Sequence, residues 1–123
     1  MVTKQSPRTV EETVSRLRNL IDSESLTLFA VVDHSGQAEA HGLSLRDTKV
    51  VLFGSPEAGT PVMQAHPLVA LDLPLKILVW DDDGQTQVTY LAPAELAARY
   101  DLGDELAARL AGIDALTDAA TAP

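Results

Sequence analysis

The sequence predicts an α+β domain built as one mainly antiparallel β-sheet with helices packed on one face. Three observations carry that expectation. The elements read in the order strand, helix, strand, strand, short helix, strand, strand, helix, helix. Asp83-Gly84 separates the last two apolar runs by the dipeptide that a two-residue type I′ hairpin requires. Val10, Val14, Leu17 and Ile21 form one stripe at helical spacing, so the first helix lies on something apolar.

Each element has its own local reason. Val2 to Gln5 reads as a short strand. Thr9 and Glu12 fit a capping box, Glu11 and Glu12 suit the positive end of a helix dipole, and the helix they open ends near Ser23. Leu26 to Val32 is β-branched or apolar at nearly every position, which predicts a central strand ended by Asp33-His34-Ser35-Gly36. Gln37 to Leu45 predicts a helical turn closed by Gly42. The strand Lys49 to Phe53 then runs into the glycine loop 53–61, Phe53-Gly54-Ser55-Pro56-Glu57-Ala58-Gly59-Thr60-Pro61. Thr60 is placed to cap a short helix with Pro61 at its first position, and that helix stops before Pro67. Leu75 to Trp80 and Thr86 to Leu91 are the arms of the hairpin. Glu95-Leu96-Ala97-Ala98-Arg99 recurs as Glu105-Leu106-Ala107-Ala108-Arg109, which predicts two short amphipathic helices closing the fold. Residues 1–116 form the expected domain, and 117–123 read as a frayed tail. The first helix joins two strands, a connection that admits a parallel pair.

Composition excludes several functions. The 123 residues contain 46% hydrophobic residues and no cysteine, so the chain supports a sizeable core but no disulfide, thiolate ligand or cysteine nucleophile. A net charge of −9 opposes nucleic acid and anionic membranes. The acidic repeat is likewise unsuited to a DNA-binding helix-turn-helix. No run approaches the roughly 20 apolar residues of a membrane span, and no apolar leader opens the chain. The expectation is a soluble cytoplasmic protein.

Four stretches carry a family resemblance: Val10-Glu11-Glu12-Thr13, Phe29 to His34, Phe53 to Met63 and Leu71 to Trp80. Together they resemble the bacterial and archaeal domain-of-unknown-function family 302 from about Ser6 to Tyr100. Ser55 stands where that family usually has asparagine before the loop proline. The resemblance implies a compact α+β domain similar to the TATA-binding-protein-like β-α-β4-α arrangement, paired as a homodimer. It implies no established reaction.

The chemistry-bearing residues support few reactions. Gly54 to Thr60 has the spacing of a phosphate loop, but Thr60 replaces its lysine and Pro61 its hydroxyl residue, so a nucleoside triphosphate is not expected. A tight turn requiring glycine is the structural alternative to a site. Asp33-His34 resembles a catalytic pair, although neighbours on an extended strand point to opposite faces. His34, His41 and His66 lack the spacing of a local zinc site, so neither metal nor cofactor is expected. Asp81-Asp82-Asp83-Gly84 lacks the ligand spacing of a calcium loop.

The first reading is a homodimeric small-molecule or anion-binding module. Its site joins His34, Gly54, Gly59, Thr60, Met63 and Trp80, and takes a carboxylate, a carbonyl or a neutral polar head. The alternatives are an enzyme using His34 as general acid/base with Asp33 or Asp72, and a structural partner protein without a ligand. Gly59 is expected at positive φ, where a β-carbon is strained. Trp80 is expected to use Asp72 or a ligand as its indole partner.

Overall fold

A computed structural model describes all 123 residues. Strand β1 (Val2–Ser6) leads into α1 (Val10–Ser23), followed by β2 (Thr27–Asp33), α2 (His34–Ala40), β3 (Thr48–Gly54) and α3 (Pro56–Ala65). A 3-10 helix (Pro67–Asp72) precedes the hairpin β4 (Leu75–Asp82) and β5 (Gln85–Tyr90), and α4 (Pro93–Arg99), α5 (Asp104–Ala108) and α6 (Gly112–Thr121) complete the chain. The fold class is the expected α+β.

Local chemistry sets the best-defined elements. The Thr9 hydroxyl accepts the Glu12 N–H and the Glu12 carboxylate accepts the Thr9 N–H, each at 3.1 Å, so the capping box forms as its spacing predicts. Helix α1 buries Val10, Thr13, Val14, Leu17 and Ile21. Asp83 and Gly84 hold φ of 55° and 94°, the left-handed pair of the expected hairpin turn. Gly42, at φ 73°, ends the turn that follows α2.

The five strands form one antiparallel sheet in the order β1-β5-β4-β3-β2. Helix α1 joins the two outermost strands, so it crosses the sheet and no parallel pair arises. Strand β2 is therefore an edge, not the central strand that its composition predicts. Its apolar residues serve two faces: Leu28 and Val31 pack on the core, while Phe29, Ala30 and Val32 stay exposed. Apolarity on both sides of a strand thus does not require neighbours on both edges.

Helices α1 and α6 cover one face of the sheet, over Val51, Phe53, Ile77, Val79, Val88 and Tyr90. A second cluster joins Val62 of α3, Val69 of the 3-10 helix, Leu96 of α4 and Leu110 after α5. The sheet's other face carries Val50, Leu52, Leu78 and Trp80, all half-buried and members of neither cluster.

Residues 117–123 correct the expectation of a frayed tail. Helix α6 continues to Thr121, and Thr117 and Ala120 are fully buried. Arg8 donates to the carbonyls of Ala120 and Ala122, and Arg16 to that of Ala119, so α1 and its approach hold the last turns in place. No helix is long and apolar enough to cross a membrane.

Candidate functional site

Strand β3 delivers the chain to one end of the sheet at Gly54, where Ser55 starts α3. Its hydroxyl accepts the Ala58 N–H at 3.2 Å, and Pro56 takes the first helical position. Ser55-Pro56 therefore performs the role expected of Thr60-Pro61. Both pairs supply a hydroxyl cap and a proline, and the pair adjoining the strand prevails. Pro61 is left inside α3, where it removes one helix hydrogen bond.

Gly59 consequently lies within a helix and outside the left-handed region, contrary to the expectation of a positive φ. A β-carbon there meets Leu73 Cδ1 at 3.9 Å and Met63 Cε at 4.0 Å, ordinary contact distances. Gly59→Ala is thus expected to raise stability by roughly 0.5–1 kcal/mol, since alanine loses less backbone entropy in a helix. A higher urea midpoint at unchanged slope is the expected reading; a lower midpoint contradicts this placement.

A half-open groove of about 460 Å³ lies against the start of α3. Four residues of the expected site, Gly54, Gly59, Thr60 and Met63, lie along it. Phe29 and Phe53 supply its aromatic surface, and Leu110 from the α5–α6 link and Ile113 of α6 close it. Among the lining residues Arg109 is the one cation and Glu24 the one anion. The groove offers an apolar body site with one basic side chain.

His34 and Trp80 do not join it. Thr27 pairs with Gly54 at the groove end of β2, whereas Asp33 pairs with Lys49 at the other end. His34 follows as the exposed first residue of α2, about 20 Å along the strand from Thr27. Trp80 pairs with Thr48, while Leu75 at the opposite end of β4 pairs with Phe53. Its indole N–H donates to the Thr89 hydroxyl at 3.1 Å, so neither Asp72 nor a ligand is needed as its partner. Antiparallel register has sent these two residues to the far end of the sheet.

The carboxylates proposed to assist His34 are otherwise engaged. Asp33 caps α2, accepting the Gly36 N–H and the Ser35 hydroxyl at 2.9 Å each, and these bonds hold its carboxyl below the usual range. Asp72 belongs to the 3-10 helix before β4, at the groove end of the sheet, away from His34. It accepts the Tyr100 hydroxyl and an Arg99 N–H at 2.9 Å. Tyr100 first, then Arg99, keeps its carboxyl below the ordinary value of 3.8. No group of three or more His, Asp or Glu side chains is placed to hold a metal ion.

Because the folded-state pKa of Asp72 is depressed, its stabilising contribution is complete above its unfolded pKa and is lost as pH falls through the folded value. The stability difference between wild type and Asp72→Asn should therefore shrink below about pH 4. Urea midpoints of both proteins from pH 7 downward test this; a constant difference at every pH contradicts it.

Phe29 and Arg109 were not expected at the site. Phe29 lies at an irregularity where the β2–β3 register shifts between Leu28 and Ala30, so strand alternation does not place it. Arg109 closes the second copy of the Glu-Leu-Ala-Ala-Arg repeat, which gives no sign that only this copy reaches the groove.

The family model for a domain of unknown function, DUF302, matches residues 2–120. A crystal structure of an uncharacterized conserved DUF302 protein from Bacillus stearothermophilus superposes with a TM-score of 0.82 at 20% identity, covering 98% of this chain and 94% of that one. Its likeness establishes the fold. Among curated proteins, a fluoride-specific ion channel FluC 1 of Brucella suis is 38% identical over 104 residues, which are 84% of this chain and 41% of that protein. FluC 1 of Brucella abortus shows the same identity over 84% of this chain and 38% of its own length. The chain thus spans about two fifths of the length of these curated relatives.

Proposed function

This chain belongs to the DUF302 family, a domain of unknown function, and on that premise we propose that it is a homodimeric small-molecule-binding module whose ligand lies in the groove beside α3. The ligand class is an apolar body carrying one carboxylate or carbonyl group. The observation that carries this reading is the half-open groove of about 460 Å³, walled by Phe29, Phe53 and Met63, with Arg109 as its one cation. Pockets of this size with mostly apolar lining and a few placed polar groups are the usual form of small-molecule sites. The first turn of α3 adds partly positive N–H groups. Glu24 at the groove and the net charge of −9 disfavour ligands with several negative charges.

The named relatives fit the same reading. An ion path through a bilayer needs membrane-spanning structure, and this chain holds no helix long and apolar enough to supply it. We assign conduction in the FluC relatives to the part of their length outside the match, and to the matched part a binding or sensing role. A cytoplasmic location belongs to this proposal.

Octanoate, an alkyl chain ending in one carboxylate, is a suitable probe. It should raise the thermal midpoint of the wild type saturably, since a ligand that binds only the folded state stabilises it by mass action. Acetate should not. Met63→Trp, which fills the groove with a larger side chain, should fold and lose the effect. Equal responses to acetate and octanoate, or a response undiminished in Met63→Trp, would overturn the assignment.

A further inference from the structure

The sheet has two edge strands, and they differ in chemistry. Strand β1 carries Thr3, Lys4 and Gln5, polar residues of the kind that guard an edge against further pairing. Strand β2 carries no charge and no proline from Thr27 to Val32, and Phe29, Ala30 and Val32 are exposed. It pairs with β3 alone, so alternate backbone N–H and C=O groups along its outer side have no strand to bond.

This bare edge runs into the groove. The β2–β3 register shifts between Leu28 and Ala30, and the Phe29 ring turns over Gly54, its Cε2 3.4 Å from where a β-carbon would stand. Leu26 and Phe29 thereby wall the groove at the point where the regular ladder ends. Arg109, at the end of α5, lines the same groove. Arg8, Arg16, Arg46 and Arg99 each bond a group of the chain, whereas the exposed Arg109 guanidinium bonds none. Ser55 already takes the Ala58 N–H and Pro56 has none, so Arg109 rather than the α3 terminus is the main partner for an anion.

We propose that the ligand of this groove is the C-terminus of another protein, added to β2 as a sixth, antiparallel strand. The inference rests on the groove reading above and names its ligand. The apolar body is the last side chain, and the single negative charge is the terminal carboxylate. Antiparallel addition continues the pattern of the sheet and sets the polarity. Strand β2 runs away from the groove, so an antiparallel chain runs toward it and ends there. With the last residue beside Phe29, the preceding ones fall beside Ala30, Val31, Val32 and Asp33 in turn. Those beside Ala30 and Val32 share their face and cover their exposed side chains, so they are apolar. The one beside Asp33, fifth from the end, is basic, which also suits a chain of net charge −9. A free fatty acid satisfies only Arg109 and the apolar walls; a chain end uses the bare edge as well.

Fluorescence anisotropy tests this with the N-terminally labelled peptide Lys-Val-Thr-Val-Leu, ending in a free carboxylate, at protein concentrations up to about 500 μM. The free acid should bind saturably, and its C-terminal amide about tenfold or more weakly. Arg109→Gln should weaken the free acid to the level of the amide and leave the amide unchanged, which also verifies that the variant is folded. N-methylation of alternate amides should abolish binding when the methylated set faces β2 and spare it when the set faces solvent. Equal affinity for acid and amide, an acid undiminished in Arg109→Gln, or no loss in either methylated peptide would overturn the chain-end assignment. Stabilisation by octanoate without peptide binding would overturn this inference alone and leave the groove a small-molecule site. No response to either probe would overturn both.

Discussion

Deletion of residues 117–123 is expected to lower the unfolding free energy by about 3–5 kcal/mol, a large fraction of the stability of a single domain. The segment is polar and alanine-rich, yet Thr117 and Ala120 are fully buried. Lys4 donates to the Thr117 hydroxyl at 2.7 Å and pairs with Asp118 at 2.8 Å. Arg16 donates to the Ala119 carbonyl at 3.0 Å, and Arg8 to Ala120 and Ala122 at 3.2 and 2.9 Å. Net hydrogen bonds contribute about 1 kcal/mol each, and the deletion also uncovers apolar surface of α1 and β1. Urea unfolding of the truncated chain measures the loss. An unchanged midpoint would mean that the last turns of α6 contribute nothing to the fold.

Leu17→Ala should cost about 3 kcal/mol or more. Leu17 is fully buried in α1, within the cluster shared with Val51, Ile77 and Leu116. Removing its three distal carbons forfeits their transfer free energy and leaves a cavity between a helix and a sheet that relax only partly. Arg18→Ala, one position along on the exposed side of the helix, should stay within about 0.5 kcal/mol of wild type. Similar midpoints for the two variants would contradict the packing of α1 on the sheet.

What the sequence shows and what it hides divide along the range of the interactions. The start of α1 is legible because Thr9 and Glu12 are three residues apart and cap each other. The β4–β5 turn is legible because Asp83 and Gly84 take the left-handed conformations it needs and Asp81, two residues before Asp83, accepts the Gly84 N–H. Helix α6 is hidden because Thr117 and Ala120 become buried only when α1 and β1 dock beside them. The edge position of β2 is hidden because apolarity on both faces of a strand reads as a central location.

The start of α3 is ambiguous for a local reason, since Ser55-Pro56 and Thr60-Pro61 are two valid caps five residues apart. Gly54, Gly59, Thr60 and Met63 group legibly because they are close in sequence, the last three within α3 and Gly54 just before it. For His34 and Trp80 the sequence offers only their chemistry, which says nothing about which end of the sheet they occupy. The register pairs Asp33 with Lys49 and Trp80 with Thr48, and this fixes both at the far end of the sheet. Phe29 and Arg109, which do reach the groove, come from a register irregularity and from the end of α5, distant in sequence.

The most direct test of the binding assignment is a titration of ¹⁵N-labelled protein with octanoate, followed amide by amide by NMR. Saturable shifts are expected at Gly54, Ala58, Gly59, Thr60, Met63 and Leu110, with His34, Lys49, Trp80 and Gln87 nearly still. Shifts that fail to saturate, or that centre on Trp80 and Gln87 across the sheet, would contradict it.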